Sequence, residues 1–365
     1  LTNASILRDS LVKDGAIFQS TSDTETILQL VAKSSRQQTV DKLIDALFKI
    51  QGAYSLVILT NKKLIGVRDP YGIRPLVLGD LNGAPVLTSE TCALDIIGAK
   101  YVRDVEHGEI IIISEDGMES IKPFHKVQER PCIFERIYFS RPDSIVGGKT
   151  VYTYRKNLGQ ELAKENHIDA DVIIPVPDSG VPAALGYSQE SKIPFELGII
   201  RNHYVGRTFI EPSQSIRQFG VKLKHNANSS YIKNKKVILI DDSIVRGTTA
   251  KKIIKMVYDA GAKEVHLGIA CPPIKHPDFY GIDTPDYNEL IAAKSSLKEI
   301  NNVIGSKSIF FLSLEGTYKA MGYEKRDNET PQFTDHCFTG DYPTSLLDRE
   351  QGTVSKQFSL LSEKN

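Results

Sequence analysis

Two adjacent carboxylates, Asp241 and Asp242, follow an uninterrupted apolar run in the segment VILIDDSIVRGTT, Val237 to Thr249. The run Val237 to Ile240 predicts a parallel strand that is buried on both faces. Ligands of open α/β sheets bind at the carboxyl ends of such strands, where two carboxylates suit ribose hydroxyls or a hard cation that keeps most of its water. The segment therefore predicts a site for a magnesium-bound sugar phosphate.

The residues after the acidic pair favour a phosphate-binding loop. Gly247 lets the backbone approach a ligand closely, and Thr248 and Thr249 supply hydroxyls and a helix start whose free N–H groups favour a phosphate. A buried helical face and a further strand are predicted behind the loop, from Ala250, Ile254, Val257, the helix-ending Gly261 and the strand Glu264 to Ala270. An ordinary acidic turn would explain the two aspartates alone, but the complete string favours a ligand loop inside a βαβ unit.

A second polar turn, Pro177 to Gly180, follows the predicted strand Val172 to Val176. In isolation these residues favour an ordinary turn. The position of this turn at the end of a parallel strand, upstream of the acidic pair, instead favours a pyrophosphate site made of converging N–H groups. We expect Ser179 in this turn to help hold the metal.

The segment Arg201 to Asn226 is long, basic and without a clean period. Such a segment is either a solvated loop or a lid, and its length favours the lid. Cations that close over a pyrophosphate leaving group would exclude water and stabilise developing negative charge.

The composition is that of a globular protein long enough for two domains. The chain has 365 residues, 41% hydrophobic and 25% charged, and its 45 basic residues equal its 45 acidic residues. This balance gives no sign of a nucleic-acid partner. No signal peptide or apolar span of transmembrane length is visible, which predicts a cytoplasmic protein with no membrane partner. Leu1 opens the chain and no methionine precedes Met118, which favours a start downstream of the gene's own start.

The hydrophobic pattern changes near Pro131. Before it, short antiparallel strands are predicted at Ser55 to Gly66, Ala84 to Thr88 and Gly108 to Ser114, and helices at Thr24 to Lys33 and Val40 to Lys49. After it, helices are predicted at Val151 to Asn166 and Pro182 to Ser188, alternating with strands at Asp171 to Pro177 and Phe195 to Ile200. We therefore predict an α+β domain at residues 1–130, a doubly wound α/β domain with a mainly parallel sheet at 131–330, and a C-terminal segment at 331–365. The end of that segment, from Asp348, is predicted to be a mobile tail.

Further segments carry a resemblance to a known family. The string around the acidic pair resembles the phosphoribosyl diphosphate (PRPP) signature of type I phosphoribosyltransferases. The others are RDPYGIRPL at Arg68 to Leu76, SETCALDIIG at Ser89 to Gly98, YFSRPDS at Tyr138 to Ser144 and NHYVGRTFI at Asn202 to Ile210. Together they resemble the amidophosphoribosyltransferases over nearly the whole chain. The resemblance implies an N-terminal-nucleophile (Ntn) hydrolase-like glutaminase domain of α+β fold, followed by an α/β type I phosphoribosyltransferase domain.

The resemblance also implies an activity and roles for individual residues. The family forms 5-phosphoribosylamine and pyrophosphate from PRPP, with Mg²⁺ and with ammonia released from glutamine, in purine synthesis. By position, Asp241 and Asp242 match the ribose and magnesium carboxylates, and Ser179 matches the metal contact. The remaining matched positions are Asp178 and Gly180 of the pyrophosphate loop; Ser243, Arg246, Gly247, Thr248 and Thr249 of the PRPP loop; the catalytic lid residues Arg207 and Lys224; and Asp23, which would hold the amino group of glutamine.

The chain departs from the family pattern at its amino end. The family's glutaminase nucleophile is an N-terminal cysteine that uses its own terminal amine as base. That cysteine, an arginine and an Asn-Gly pair would all lie upstream of Leu1. The resemblance therefore implies a chain that uses free ammonia only, with a first domain whose truncation exposes apolar sheet surface.

The cysteines are the second departure. Cys92, Cys132, Cys271 and Cys337 form no CxxC pair, which argues against a zinc ribbon or disulfides and favours buried free thiols. Some family members hold an iron-sulfur cluster on four cysteines. Cys132 and Cys337 match two of those positions, but Asp278 and Thr334 stand at the others, so we predict no cluster.

The family assembles into homo-oligomers, typically tetramers, and is inhibited by purine nucleotides, so both are expected here. Two other functions stay open. A base-salvage phosphoribosyltransferase would share the PRPP signature without needing RDPYGIRPL or SETCALDIIG, and a PRPP-binding regulator should carry a DNA-binding domain and a basic face, neither of which is visible. A truncated product that does not fold is a third possibility.

Overall fold

The computed structural model describes residues 1–202, 225–282, 284 and 286–350. In these residues, an α+β region with antiparallel sheets precedes a region built on a parallel sheet. This order confirms the fold class predicted above. No helix in the described ranges is long and apolar enough to cross a membrane.

The first region combines short helices with two antiparallel sheets, one of order β1-β2-β6-β7 and one of order β4-β3-β5. Its elements are α1 (Ala4–Lys13), α2 (Asp23–Lys33), α3 (Thr39–Leu47), β1 (Ser55–Leu59), β2 (Leu64–Arg68), β3 (Val77–Leu81), β4 (Ala84–Thr88), α4 (Thr91–Ile97), β5 (Lys100–Asp104), β6 (Ile110–Ser114) and β7 (Gly117–Ile121). The strands and helices predicted for this region are therefore confirmed. Ile65, Val67 and Ile110 are fully buried between the larger sheet and the helices, and this burial stabilises the region.

Glu109 joins the two sheets of the first region. Its carboxylate accepts hydrogen bonds from Arg103 Nη2 of β5 at 2.6 Å, from Ser120 Oγ of β7 at 2.6 Å and from the Glu106 N–H at 2.7 Å. Burial alone would raise the pKa of Glu109, but these donors outweigh burial and hold it at about 2. The carboxylate is therefore an ionised link between the sheets.

The first region is tied to the second by two carboxylates. Glu90, just before α4, accepts hydrogen bonds from the Arg141 N–H at 3.0 Å and from Ser144 Oγ at 2.5 Å. Arg74 pairs with buried Glu135 at 3.0 Å. Three of the segments that carried the family resemblance thus meet at this joint.

The second region begins with a π-helix and continues as alternating strands and helices. Its elements are the π-helix Glu135–Phe139, β8 (Ile145–Val146), β9 (Lys149–Thr150), α5 (Val151–Glu165), β10 (Val172–Pro175), α6 (Val181–Ser191), β11 (Ile199–Arg201), β12 (His225–Ala227), α7 (Ser229–Ile232), β13 (Lys236–Asp241), α8 (Thr248–Asp259), β14 (Glu264–Ile269), the 3₁₀ turn Tyr287–Glu289, α9 (Ile291–Lys294), α10 (Leu297–Ile304), β15 (Ser308–Phe311), α11 (Leu314–Met321), α12 (His336–Thr339) and α13 (Leu347–Glu350).

A parallel sheet of order β10-β13-β14-β15 forms the core of this region. Val237 to Ile240 of β13 have no solvent exposure, as their apolar run predicts for a central strand. Because the strands are parallel, the residues after β10 and after β13 emerge at one edge of the sheet. This edge carries the predicted ligand loops.

The predicted strand Phe195 to Ile200 is only partly correct. Residues 194–196 run beside β10, where the Ile173 N–H bonds to the Pro194 carbonyl at 2.8 Å and the Glu196 N–H bonds to the Ile173 carbonyl at 2.9 Å. Pro194 has no N–H to extend this ladder. The regular strand starts only at Ile199 and pairs with β12 instead.

Two glycines allow α5 and α6 to touch. A Cβ at Gly159 would lie 1.8 Å from the Ala183 carbonyl oxygen, and a Cβ at Gly186 would lie 1.9 Å from that of Lys156. Only glycine fits where the helix backbones come this close. The contact fixes α6, whose amino end is the predicted pyrophosphate turn.

The described part of the C-terminal segment packs against the rest of the chain. Phe333, Cys337 and Phe338 belong to the buried core that surrounds the parallel sheet. The Asp348 carboxylate accepts from the N–H groups of Ser5 and Ile6 at 2.9 and 3.0 Å. Contrary to the predicted tail, which began at Asp348, residues 348–350 form part of α13 because Asp348 binds α1. Residues 351–365 of that tail lie outside the described residues, and the domain division stays a prediction.

We predict that Glu109→Gln lowers the unfolding free energy at neutral pH by about 2 kcal/mol, because the charged link between the sheets is lost. A lowered carboxyl pKa gives stability that is complete above the unfolded-state value and is lost as the pH falls through the folded-state value. The difference between variant and parent should therefore shrink as the pH falls from about 4.5 towards about 2. Urea unfolding across this range measures it. Asp259→Asn, which removes the exposed pair with Lys255, should leave stability nearly unchanged; a Glu109→Gln deficit that is independent of pH would contradict the assignment.

Candidate active site

The acidic pair lies at the carboxyl end of the central strand. Asp241 is the last residue of β13, and Asp242 follows it with a side chain that is almost fully buried. The Asp242 N–H donates to Asp241 Oδ1 at 2.9 Å, and Ser243 Oγ donates to Asp242 Oδ2 at 2.9 Å. Both carboxylates lie at the edge of the sheet, as the sequence predicts.

The two carboxylates carry more negative charge than the described surroundings balance. No lysine, arginine or histidine of the described residues forms an ion pair with either of them. Burial, and then the neighbouring Asp242 charge, raise the pKa of Asp241 well above its usual value. A divalent cation or a set of sugar hydroxyls would relieve this repulsion, which is the chemistry that the sequence predicts.

Gly247 opens the amino end of α8 to a ligand. It has a left-handed φ of 75°, a conformation that favours glycine, and its missing side chain leaves the first N–H groups of the helix without a side-chain cap. Thr248 and Thr249 are exposed on this first turn. Uncapped N–H groups at the start of a 12-residue helix bind an anion such as a phosphate. Arg246 lies beside the turn and pairs with Glu289.

The turn Pro177 to Gly180 connects β10 to α6 and also ends in an uncapped helix start at Gly180. The Pro177–Asp178 peptide bond is cis. The Asp178 carboxylate is exposed and forms an ion pair with Arg201, whereas Ser179 is partly buried. A second helix dipole therefore points to the same edge of the sheet as the first.

The two turns are packed together through Gly180 and β13. The Val176 N–H donates to the Ile240 carbonyl at 2.9 Å, and a Cβ at Gly180 would lie 2.3 Å from that same carbonyl oxygen. Ile240 directly precedes the acidic pair. The structure thus brings the turn at residues 177–180, with the start of α6, to the base of the acidic pair.

The other predicted site residues lie elsewhere or outside the described residues. Asp23 is the first residue of α2, in the first region, and its half-exposed carboxylate binds the Leu1 α-ammonium at 2.7 Å. Arg207 and Lys224 lie outside the described residues. Sequence reasoning placed Arg201 in the long basic segment and gave it no role, because nothing in the sequence links it to Asp178.

The four positions matched to an iron-sulfur cluster are buried, but two of them are already satisfied. Asp278 Oδ2 accepts from His336 Nε2 at 2.8 Å, and Asp278 Oδ1 accepts from the N–H groups of Tyr280 and Ile282, both at 2.8 Å. Thr334 Oγ1 donates to the Arg130 carbonyl at 2.5 Å. The thiols of Cys132 and Cys337 are also buried, and burial raises the pKa of each. This donor set does not fit a cluster that needs four thiolates.

We predict that Gly180→Ala separates the two turns, because the added methyl would overlap the Ile240 carbonyl. The unfolding free energy should fall by about 1–3 kcal/mol, and the thermal stabilisation by magnesium and pyrophosphate should disappear. Gly305→Ala is the control: unlike Gly180, whose φ is −75°, Gly305 carries a left-handed φ of 83°, and no atom lies within 4 Å of its Cβ position. That variant should lose some stability through backbone strain and keep the response to pyrophosphate. An unaltered pyrophosphate response in Gly180→Ala would contradict the described packing of the turn.

Comparisons with known proteins agree with this arrangement. A glutamine amidotransferase domain model matches residues 1–95, and a phosphoribosyl transferase domain model matches residues 153–294. The chain is 58% identical to amidophosphoribosyltransferase of Rhizobium etli, over 99% of this chain and 74% of that protein. It is 51% identical to a chloroplastic amidophosphoribosyltransferase of Arabidopsis thaliana, of which it spans 60%.

A solved structure extends the similarity to three dimensions. Glutamine PRPP amidotransferase from B. subtilis, complexed with ADP and GMP, superposes with a TM-score of 0.89 at 46% identity, over 95% of this chain and 76% of that chain. The amidotransferase match on residues 1–95 also separates the chain from a base-salvage enzyme, which would not need that domain. The chain belongs to the amidophosphoribosyltransferase family.

Proposed function

We propose that the chain transfers the 5-phosphoribosyl group of PRPP to ammonia, giving 5-phosphoribosylamine and pyrophosphate. The observation that supports this most is the acidic pair at one sheet edge, close to two helix starts that lack side-chain caps. A sugar that carries a phosphate at one end and a diphosphate at the other matches two anion sites separated by carboxylates. The family names of the relatives agree with this reaction.

Each turn has a proposed role. Asp241 and Asp242 hold the ribose hydroxyls, and Ser243, Arg246, Gly247, Thr248 and Thr249 form the loop that receives the 5-phosphate. Asp178, Ser179 and Gly180 receive the diphosphate. In the reaction, the ammonia nitrogen forms a bond to the anomeric carbon while the bond from that carbon to the diphosphate oxygen breaks, and the nitrogen loses a proton. The protein's part is to align the two groups and to accept the charge of the leaving diphosphate.

Magnesium fits the proposed site as a cation with few protein ligands. In the described residues, no group of three or more His, Cys, Asp or Glu side chains is arranged to hold a metal. The two carboxylates and Ser179 would therefore share Mg²⁺ with water and with the diphosphate, as Mg²⁺ prefers. When bound, the ion would neutralise charge on the leaving diphosphate. Arg207 and Lys224 are proposed to close over this site.

We propose ammonia as the nitrogen that attacks PRPP, and the amidotransferase domain model that matches residues 1–95 supports glutamine as its source. Asp23 keeps its proposed role as the carboxylate that holds the amino group of glutamine.

The reaction predicts pyrophosphate release from PRPP and magnesium when ammonium chloride is supplied. Asp241→Asn and Asp242→Asn should each reduce the rate at least about 100-fold, because a neutral amide neither attracts the cation nor accepts two sugar hydroxyls. Asp259→Asn, an exposed aspartate on α8, is the control. PRPP binding by folded protein without any release would favour the PRPP-binding regulator.

Regulation, assembly and location are proposed from the family. A relative's structure contains ADP and GMP, and another is described as the allosteric regulatory enzyme of purine biosynthesis. We propose that purine nucleotides inhibit this chain and that it forms a homo-oligomer without nucleic-acid or membrane partners. We also propose a cytoplasmic location, although the matched plant relatives are named chloroplastic.

We predict that the purified protein holds no iron-sulfur cluster and that oxygen and iron chelators leave its ammonia-dependent rate unchanged. Asp278→Ala should lower the unfolding free energy by about 3 kcal/mol, because it leaves His336 buried without its partner. Iron content, the visible spectrum and urea unfolding measure these effects. The double variant Asp278→Cys with Thr334→Cys supplies four thiolates and serves as a positive control for reconstitution. Stoichiometric iron and sulfide in the parent protein would contradict the prediction.

A further inference from the structure

A carboxylate from a distant segment forms an ion pair with the arginine of the proposed 5-phosphate loop. Arg246 Nη2 pairs with Glu289 Oε2, which lies in the 3₁₀ turn Tyr287–Glu289. The two residues are 43 positions apart in the chain, so the turn must fold back onto the loop to form the pair. Arg246 is 54% exposed and Glu289 is 40% exposed. The pair therefore lies where a ligand can reach it.

The residues that follow Glu289 fix this segment to the loop. The Ile291 N–H donates to the Val245 carbonyl at 2.9 Å. A Cβ at Gly247 would lie 2.9 Å from Ile291 Cδ1, so the Ile291 side chain packs against the space that the glycine leaves. Leu290, between them, has no solvent exposure. Glu289 is thus carried by a short segment whose position relative to the loop is set by packing.

The 3₁₀ turn has further support that does not involve the ion pair. Asp286 Oδ1 accepts from the Asn288 N–H at 2.8 Å, and the Glu289 N–H donates to the Asp286 carbonyl at 3.0 Å. The Tyr287 hydroxyl lies 3.0 Å from His276 Nδ1 in a hydrogen bond. The turn should therefore keep its place when the charge of Glu289 is removed.

An arginine that binds a phosphate gains from a carboxylate fixed beside it. A guanidinium has five N–H donors, so one guanidinium can bridge two anions. An exposed arginine also has many rotamers, and their loss on binding opposes the binding of the ligand. A fixed carboxylate restricts these rotamers before the ligand arrives. Because Arg246 directly precedes Gly247, the restricted side chain starts one residue from the uncapped N–H groups of α8.

We propose that Glu289 is a positioning residue that holds Arg246 ready for the 5-phosphate of PRPP. This inference rests on the proposed function. Glu289 acts through Arg246 and does not contact the reacting atoms, so it affects the binding of ligands that carry a 5-phosphate rather than the chemical step. Binding of a diphosphate at residues 177–180 should not depend on it.

Two other roles for Glu289 make different predictions. A carboxylate that competed with the phosphate for Arg246 would weaken the binding of the 5-phosphate, so its removal would strengthen that binding. A carboxylate that only supported the fold would, when removed, lower the stability of the protein and weaken the binding of every ligand. The sign of the effect and its restriction to one end of the substrate therefore distinguish the three roles.

The test combines Glu289→Gln, Arg246→Met and the double variant in one cycle. The KM for PRPP and kcat are measured in the ammonia-dependent reaction. The Kd values of ribose 5-phosphate and of magnesium pyrophosphate are measured by isothermal titration calorimetry, which requires no turnover. Glu315→Gln is the matched control, because it removes the charge of a glutamate in another exposed ion pair, with Lys319 on α11.

For Glu289→Gln we expect the KM for PRPP and the Kd of ribose 5-phosphate to rise about fivefold. The kcat, the Kd of pyrophosphate and the urea midpoint should stay close to those of the parent, as all values should in Glu315→Gln. In the Arg246→Met background, Glu289→Gln should cause no further rise, because Glu289 acts through that arginine.

Tighter binding of ribose 5-phosphate by Glu289→Gln, an equal loss of pyrophosphate binding, no change in either ligand, or an equal further rise in the Arg246→Met background would each overturn the proposed role of Glu289. Absence of pyrophosphate release by the parent protein would instead overturn the proposed function. The ribose 5-phosphate titrations still test Glu289 in that case, so the two failures are distinguishable.

Discussion

The close contact between Gly180 and the Ile240 carbonyl is the constraint on which the site depends. The Cβ of any other residue would lie 2.3 Å from that oxygen, so only glycine allows the turn after β10 to lie against the end of β13. This contact places the amino end of α6 beside Ile240, the residue that precedes the acidic pair. Helix dipoles attract anions, while adjacent carboxylates attract cations. The site is therefore suited to a ligand that carries both.

Electrostatic repulsion between Asp241 and Asp242 makes the acidic pair unfavourable for the stability of the folded chain. Asp241 and Asp242 lie at the end of a buried strand, where burial of charged groups is unfavourable for folding. The surrounding buried apolar core offsets this free-energy cost. The first region is joined to the second by other charges: Glu90 accepts from the Arg141 N–H and from Ser144, and Arg74 pairs with Glu135.

The sequence predicted the parts of this structure that depend on local pattern. The apolar run before Asp241 predicted a buried parallel strand, and the residues at 177–180 and 247–249 predicted turns into helix starts, because strand period and glycine placement are local properties. That these turns bind ligands stays a prediction. Long-range contacts were not predictable in this way. Glu109 is an ordinary polar residue in sequence, and its link between the two sheets appears only once β5 and β7 are folded on either side of it. The start of β11 was misplaced because pairing with β12, rather than residue preference, decided it.

The most direct test of the account is a crystal structure with magnesium and a carbocyclic PRPP analogue that cannot lose its diphosphate. We predict the ring hydroxyls at Asp241 and Asp242, the 5-phosphate on the N–H groups that follow Gly247, and the diphosphate at Ser179 and Gly180. An analogue bound with its phosphate away from both helix starts, or with the acidic pair uninvolved, would contradict the central claim.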